Sequence, residues 1–202
     1  MKKYSMAAVI FLSAFLSAAG AQAQVATGDA APDFTLQDTS GQSRTLSANQ
    51  GSYVVLEWIN HDCPFVKKHY DSGNMQKIQA EETAKGVIWY SIASSAEGKQ
   101  GYHTAEEWQG LSARKQSAAT AVLLDPQGSV GKLYGAQTTP HMYVINPEGK
   151  LIYQGAIDSV ASANPEDIAR SENYVQKALR EAESGNSVSN GSTKAYGCSV
   201  KY

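Results

Sequence analysis

The sequence predicts an α/β fold: a mixed central sheet with helices on both faces, a β-hairpin extension before it and a flexible C-terminal tail after it. Three observations carry this prediction. Apolar, β-branched runs recur at 53–56, 87–92 and 121–124, each of strand length. Helical patterns fill the spacers between them, as strand–helix–strand crossovers require. Two further runs, 142–145 and 150–153, flank the turn Asn146-Pro147-Glu148-Gly149 and close the sheet with an antiparallel hairpin.

The 202 residues are 42% hydrophobic and 18% charged, which suits one globular domain plus extra segments. The first extra segment is 1–23. Lys2 and Lys3 form a basic start, 6–19 is apolar, and Ala21-Gln22-Ala23 is a small-residue cleavage site before Gln24. That is the layout of a secretory signal peptide, too short for a spanning helix. No cysteine stands near the cleavage point and no second long apolar run follows. A soluble exported protein without a membrane anchor is therefore expected, most simply in a bacterial periplasm. Lys2 and Lys3 leave with the signal, so the 17 basic residues fall to 15 against 19 acidic ones, a net charge of −4. That balance argues against nucleic acid or an anionic membrane as partner. Both cysteines, Cys63 and Cys198, lie in the exported part, where an oxidising compartment allows them to pair.

The domain itself is expected over 24–184. After a small, polar arm, Phe34 and Leu36 alternate with Thr35 and Gln37, and Asp38-Thr39-Ser40-Gly41-Gln42 turns the chain back, so 34–47 reads as a β-hairpin. The central strand is expected over 53–60. A helical pattern from Pro64 to about Lys85 is interrupted by Ser72-Gly73-Asn74, which predicts a kink or break. Thr104-Ala105-Glu106-Glu107 is a capping box opening a helix with Ala105, Trp108 and Leu111 on one face. A short helix is expected around 130–134 and a last amphipathic one over 166–184. From Gly185 the chain is rich in Ser, Gly and Asn, the composition of a flexible linker, so 185–202 reads as a tail that carries Cys198.

Cys63 falls where the central strand turns into a helix, directly before Pro64, the residue favoured at the first helical position. Unpaired N–H groups and the positive end of the helix dipole meet there, and both favour a thiolate. Lys67 and Lys68 lie within about a turn and His61 two residues before, while Asp62 opposes them. Cys63 is thus a candidate nucleophile; the competing readings are an inert core cysteine or half of a structural disulfide. Cys198, on a mobile arm, suits a resolving thiol that reaches Cys63 and leaves again, but also a permanent staple or a bond to another chain.

These motifs resemble thioredoxin-fold redoxins of the alkyl hydroperoxide reductase/thiol-specific antioxidant (AhpC/TSA, TlpA-like) family. The resemblance covers roughly 27–183. It rests on Gly28-Asp29-Ala30-Ala31-Pro32-Asp33-Phe34, on Cys63-Pro64-Phe65-Val66-Lys67 after the central strand, on Thr139-Pro140, and on the two Pro-x-Gly turns at 125–128 and 146–149. A set of exported redoxins also ends, like this chain, in Tyr196-Gly197-Cys198-Ser199-Val200-Lys201-Tyr202. The resemblance implies a thioredoxin-like fold and a thiol–disulfide oxidoreductase with antioxidant activity. It implies a cis Thr139–Pro140 bond facing Cys63, and a proton-moving role for Glu57, six residues before the cysteine. The competing readings of Glu57 are a carboxylate at an exposed edge or one paired with a lysine such as Lys67. Trp58, Asn60, His61 and Thr139 are candidate substrate-binding or tuning residues around it.

The departures are specific. Val66 stands where thioredoxins carry their second cysteine, so the local dithiol is absent. Asn60 and Leu56 stand where peroxiredoxins place a Thr or Ser and a Pro. A thiol peroxidase acting on hydroperoxides is therefore the alternative rather than the first reading. Two readings come from other classes: a non-catalytic binding module with a Cys63–Cys198 bridge, and a copper carrier. Cys63-Pro64 fits half of a copper-carrier motif, but Ile59 occupies its first cysteine position, so no metal or other cofactor is expected. The expected partners are protein thiols and disulfides or hydroperoxides, with an external thiol reductant.

Overall fold

A computed structural model describes residues 25–202. The expected signal peptide, and the proposed cleavage site with it, lie outside the described residues. The chain runs β1 (Thr35–Asp38), β2 (Ser43–Thr45), β3 (Val54–Trp58), α1 (Pro64–Asp71), α2 (Asn74–Ala84), β4 (Ile88–Ala93) and α3 (Ala105–Arg114). It continues β5 (Ala121–Leu124), α4 (Ser129–Tyr134), β6 (Thr138–Thr139), β7 (His141–Ile145), β8 (Leu151–Gly155), α5 (Tyr174–Glu183) and β9 (Cys198–Ser199). Seven strands form one mixed sheet in the order β2-β1-β5-β4-β3-β7-β8. β3, β4 and β5 are parallel neighbours, and the remaining pairs are antiparallel. The N-terminal hairpin is part of this sheet, because β1 pairs with β5.

β3 lies in the middle, and all five of its residues are buried, as a strand covered on both faces demands. Alternation sorts them. Val55 joins Ile59, Cys63, Val66, Tyr70 and Trp89 in one apolar layer, while Val54, Leu56 and Trp58 join Leu123, Tyr134 and Tyr143 in the other.

Local chemistry explains where the elements stop. The expected 64–85 helix breaks at Gly73, whose left-handed φ of 75° most side chains rarely adopt, and the Ser72 hydroxyl donates to the Lys68 carbonyl at 2.7 Å. The capping box forms: Glu107 N donates to Thr104 Oγ1 and Thr104 N to Glu107 Oε2. Asp125 caps α4, accepting from Gly131 N at 2.9 Å. The central strand is shorter than expected, because residues 59–62 turn and Cys63 N donates to the Asn60 carbonyl. The expected 166–184 helix is two pieces, a 3-10 turn at Pro165–Arg170 and then α5, since Asn173 caps a fresh start by accepting from Gln176 N.

The tail departs most from its composition. It was expected to be flexible, but it lies along the domain. Gln154 in β8 exchanges backbone hydrogen bonds with Gly191 and Thr193, and Thr193 Oγ1 accepts from Ala156 N and meets the Tyr153 hydroxyl. Further on, β9 pairs antiparallel with β6, setting Cys198 opposite Thr139 and Ser199 opposite Thr138. Small polar residues make a poor core, but they do not prevent docking through backbone bonds and a few large side chains.

Candidate active site

Cys63 is the N-cap of α1, with extended φ and ψ of −75° and 126°, and Pro64 follows as the first helical residue. Its own side chain makes no capping bond. The sulfur instead points into the gap between α1 and the β6–β7 junction, where it donates to the Thr139 carbonyl at 3.1 Å. The Thr139–Pro140 bond at that junction is cis. The second thiol comes from the tail. Cys198 N lies 3.4 Å from Cys63 Sγ and donates to it, although 135 residues separate the two cysteines. Both thiols are free. Gly197 makes this approach possible: its φ is 139°, and any Cβ there would fall inside the Thr139 carbonyl oxygen.

The two thiols differ in electrostatics. Burial pushes the Cys63 thiol up, but hydrogen bonds from the Cys198 thiol, the Cys198 N–H and the Val66 N–H outweigh it and hold Cys63 below an ordinary cysteine. Burial and the neighbouring Cys63 push Cys198 up to about 11, with Lys201 working weakly the other way. The first proton to leave the pair therefore leaves from Cys63. Access runs the other way. Cys63 is 0% exposed, whereas Cys198 is only half-buried.

The other residues singled out from sequence divide into two groups. Glu57 is on the Cys63 side of the sheet and fully buried; it is neither at an exposed edge nor paired with a lysine. It accepts from Tyr70 Oη at 3.0 Å, Trp89 Nε1 at 2.8 Å, Ser91 Oγ at 3.1 Å and Gln79 Nε2 at 3.1 Å. Burial raises its pKa despite those four donors. His61 packs edge-on against the same Tyr70, with ring centroids 4.6 Å apart, and tilted against Trp108. Burial, then the charges of Lys115 and His103, lower its pKa to about 4, so it is neutral near pH 7, and its Nδ1 has no partner. Asn60 holds the turn before Cys63: its Oδ1 accepts from Asp62 N and its Nδ2 donates to the Gln100 carbonyl. Thr139 accepts from the Cys63 thiol through its carbonyl, and its buried side-chain hydroxyl also helps to lower the Cys63 pKa.

Trp58 is not brought to the thiols. It lies in the opposite layer, packed on Tyr134 and Tyr143, and donates to Ser94 Oγ at 3.0 Å. Lys68 is not at the thiol either. It is buried in an ion pair with Asp158 at 2.8 Å. Sequence reasoning missed this pair and its tail partner Tyr196, whose hydroxyl donates to Asp158 Oδ1. The available signal was Tyr196 itself, one of two large aromatics in a tail rich in Ser, Gly and Asn. Among the described residues, no group of three or more His, Cys, Asp or Glu side chains is placed to hold a metal, and no helix is long and apolar enough to cross a membrane.

A central sheet flanked by helices, a cysteine opening α1 and a cis proline facing it define a thioredoxin-like redoxin. The chain belongs to the AhpC/TSA family, whose pattern matches residues 27–154. Over 128 residues it is 26% identical to the thiol-disulfide oxidoreductase ResA of Bacillus subtilis, covering 63% of this chain and 66% of that protein, just under two thirds of its length. A hypothetical protein from Sinorhizobium meliloti has the same fold, with TM-score 0.74, 23% identity, and coverage of 89% of this chain and 96% of the other. The thioredoxin domain of a thiol-disulfide oxidoreductase from Bacteroides vulgatus superposes with TM-score 0.52 at 21% identity, over 73% of this chain and 98% of that domain.

Proposed function

We propose that this chain is an exported thiol–disulfide oxidoreductase with antioxidant activity, in which Cys63 is the attacking thiol and Cys198 the resolving one. The observation that carries the reading is the meeting of two free thiols from distant parts of the chain, one of them at a helix N-terminus beside the cis Pro140. In the reducing direction, the Cys63 thiolate attacks one sulfur of a partner disulfide. That S–S bond breaks, a mixed disulfide forms and the other partner sulfur leaves as a thiolate. Cys198 then loses its proton and attacks Cys63 Sγ, which closes the Cys63–Cys198 bond and releases the second partner thiolate. Two electrons pass to the partner, and an external thiol reductant resets the pair. The same steps in reverse oxidise a partner dithiol.

In this reading residues 24–184 form the redoxin domain and 185–202 the arm that supplies Cys198. Glu57 and the neutral His61, linked through Tyr70, tune proton movement from beneath the site; Asn60 and the cis Pro140 shape its rim. Export is supported by the signal-peptide pattern of residues 1–23.

A hydroperoxide as oxidant of the same pair is the second reading, favoured by the complete cover over Cys63, which a small molecule passes more easily than a protein. The thiolate would attack the peroxide oxygen and release an alcohol or water, and Cys198 would displace water from the sulfenate.

One experiment separates these readings. The reduced protein is mixed with a disulfide substrate or with one equivalent of peroxide, then alkylated and mapped by mass. A Cys63–Cys198 bridge formed with either oxidant identifies it. Cys63→Ser is expected to lower exchange by about a thousandfold. Cys198→Ser is expected to trap the mixed disulfide or the sulfenate on Cys63. Full exchange and peroxide reduction by Cys63→Ser would overturn the assignment.

A further inference from the structure

Cys198 is bracketed by two tyrosines, each built into the domain by groups that the thiol chemistry does not use. Tyr196, two residues before it, reaches a polar network buried between α1 and the segment after β8. Its hydroxyl donates to Asp158 Oδ1. Lys68 Nζ donates to Asp158 Oδ2 at 2.8 Å and to the Val160 carbonyl at 3.0 Å, and lies 3.5 Å from the Tyr196 hydroxyl. The ammonium also sits 5.7 Å from the centre of the Tyr196 ring, whose edge meets Phe65. Lys68 and Asp158 are both almost fully buried. A buried ion pair contributes little net stability by itself and depends on further hydrogen bonds to satisfy both charges. Here the last partner of each charge comes from the tail.

Tyr202, four residues after Cys198, is the second anchor. Its ring fills the space where Gly128 and Gly131 lack a Cβ, and its hydroxyl donates to the Ala136 carbonyl at 2.7 Å. Lys132 Nζ stands 5.3 Å from the ring centre. Gly131 lies inside α4, where glycine is unfavourable, and the tyrosine ring accounts for it. Between the anchors, Val200 N donates to the Gln137 carbonyl and Ala96 N to the Lys201 carbonyl.

We propose that Tyr196 and Tyr202 are positioning residues: a two-point latch that seats Cys198 beside Cys63 and shuts Cys63 off from bulky partners until the tail lifts. The proposal rests on the reading of the two cysteines as a redox pair, and it adds what sets their encounter. While the latch holds, the β6 edge beside Cys63 is taken by the chain's own β9, the place an incoming extended peptide would pair. A protein partner must therefore compete with the tail, and the tail's release governs how fast Cys63 meets it.

The test uses the full reduced chain. Cys63 alkylation by iodoacetamide and by a bulky maleimide is followed by peptide mass, and Cys63–Cys198 closure by oxidised glutathione is timed. Tyr196→Ala and Tyr202→Ala are expected to speed Cys63 labelling about tenfold or more, most with the bulky reagent, and to slow closure by a similar factor. Tyr196→Phe, which keeps the ring and loses the hydroxyl, should fall between. Arg44→Ala, at the hairpin far from the thiols, controls for general loosening and should leave both rates unchanged. Equal Cys63 labelling in all variants overturns the latch, as does a rise in Arg44→Ala that matches the tyrosine variants. Labelling needs no redox turnover. Tyrosine-dependent labelling in a protein without exchange activity would therefore keep the latch and sink the proposed function, and the opposite pattern would do the reverse.

Discussion

The two cysteines reach the same point by different means. Cys63 is set by a strand, a turn and a helix within ten residues, and its surroundings are a packed core layer. Cys198 sits on a stretch with almost no regular structure, placed by a two-residue strand pair and by two tyrosines that reach partners far away in sequence. A thiol on the scaffold has one position. A thiol on a latched arm has a seated position and a released one, and the balance between them is set by a handful of side chains. In the proposed redox pair, this split keeps the attacking thiol fixed and leaves its resolving partner adjustable.

The sharpest way to break the contrast is at Lys68, where the scaffold and the arm share one network. Lys68→Met strands the buried Asp158 carboxylate and is expected to destabilise the fold by ~3–5 kcal/mol in urea unfolding, while also loosening Tyr196. An unchanged urea midpoint would mean that Asp158 finds another partner. Acid tests the scaffold next. Burial lowers the pKa of His61, His69 and His141 to about 4 each. Each binds a proton more tightly once unfolded, so the stability they share is full above about pH 6.5 and is lost as the pH falls towards 4. His61→Phe should flatten that slope, recovering on the order of 3 kcal/mol at pH 4. A slope unaffected by the variant would show that His61 does not carry it. The smallest effect belongs to the arm alone. Gly197→Ala should cost ~1–3 kcal/mol in local order, seen as faster amide exchange over 196–202 with an unchanged global midpoint. A fall in the global midpoint would instead make the tail part of the cooperative core.

The same contrast decides what could be read from sequence. Signals local in the chain were legible: the buried runs, the break at Gly73, the Thr104–Glu107 capping box, and Cys63 between strand and helix. Thr139–Pro140 was legible only through resemblance, because nothing near it in sequence marks it as facing a thiol. Trp58 was misplaced although the rule that sorts it is simple. Alternation along β3 puts it opposite Val55 and Glu57, and proximity to Cys63 in sequence concealed that. Tail docking was illegible for a different reason. Composition reports whether a segment can form its own core, whereas this tail docks through Tyr196 on the Asp158 carboxylate and through the partly exposed Tyr202 ring over Gly128 and Gly131. The final helix was misread as continuous because Asn173, a polar residue on an amphipathic pattern, restarts the helix without interrupting its periodicity.

The pairing of β9 with β6 has a consequence between molecules as well as within one. With the arm seated, the Thr138–Thr139 edge is covered. With the arm lifted, that edge is an unpaired template beside Cys63, and the freed segment carries the contacts that would fit an identical neighbour. Intramolecular seating wins at low concentration because the arm is tethered. Crowded copies with open arms could exchange them reciprocally, each closing the other's site, and the Ser/Gly-rich stretch from Gly185 would serve as the hinge.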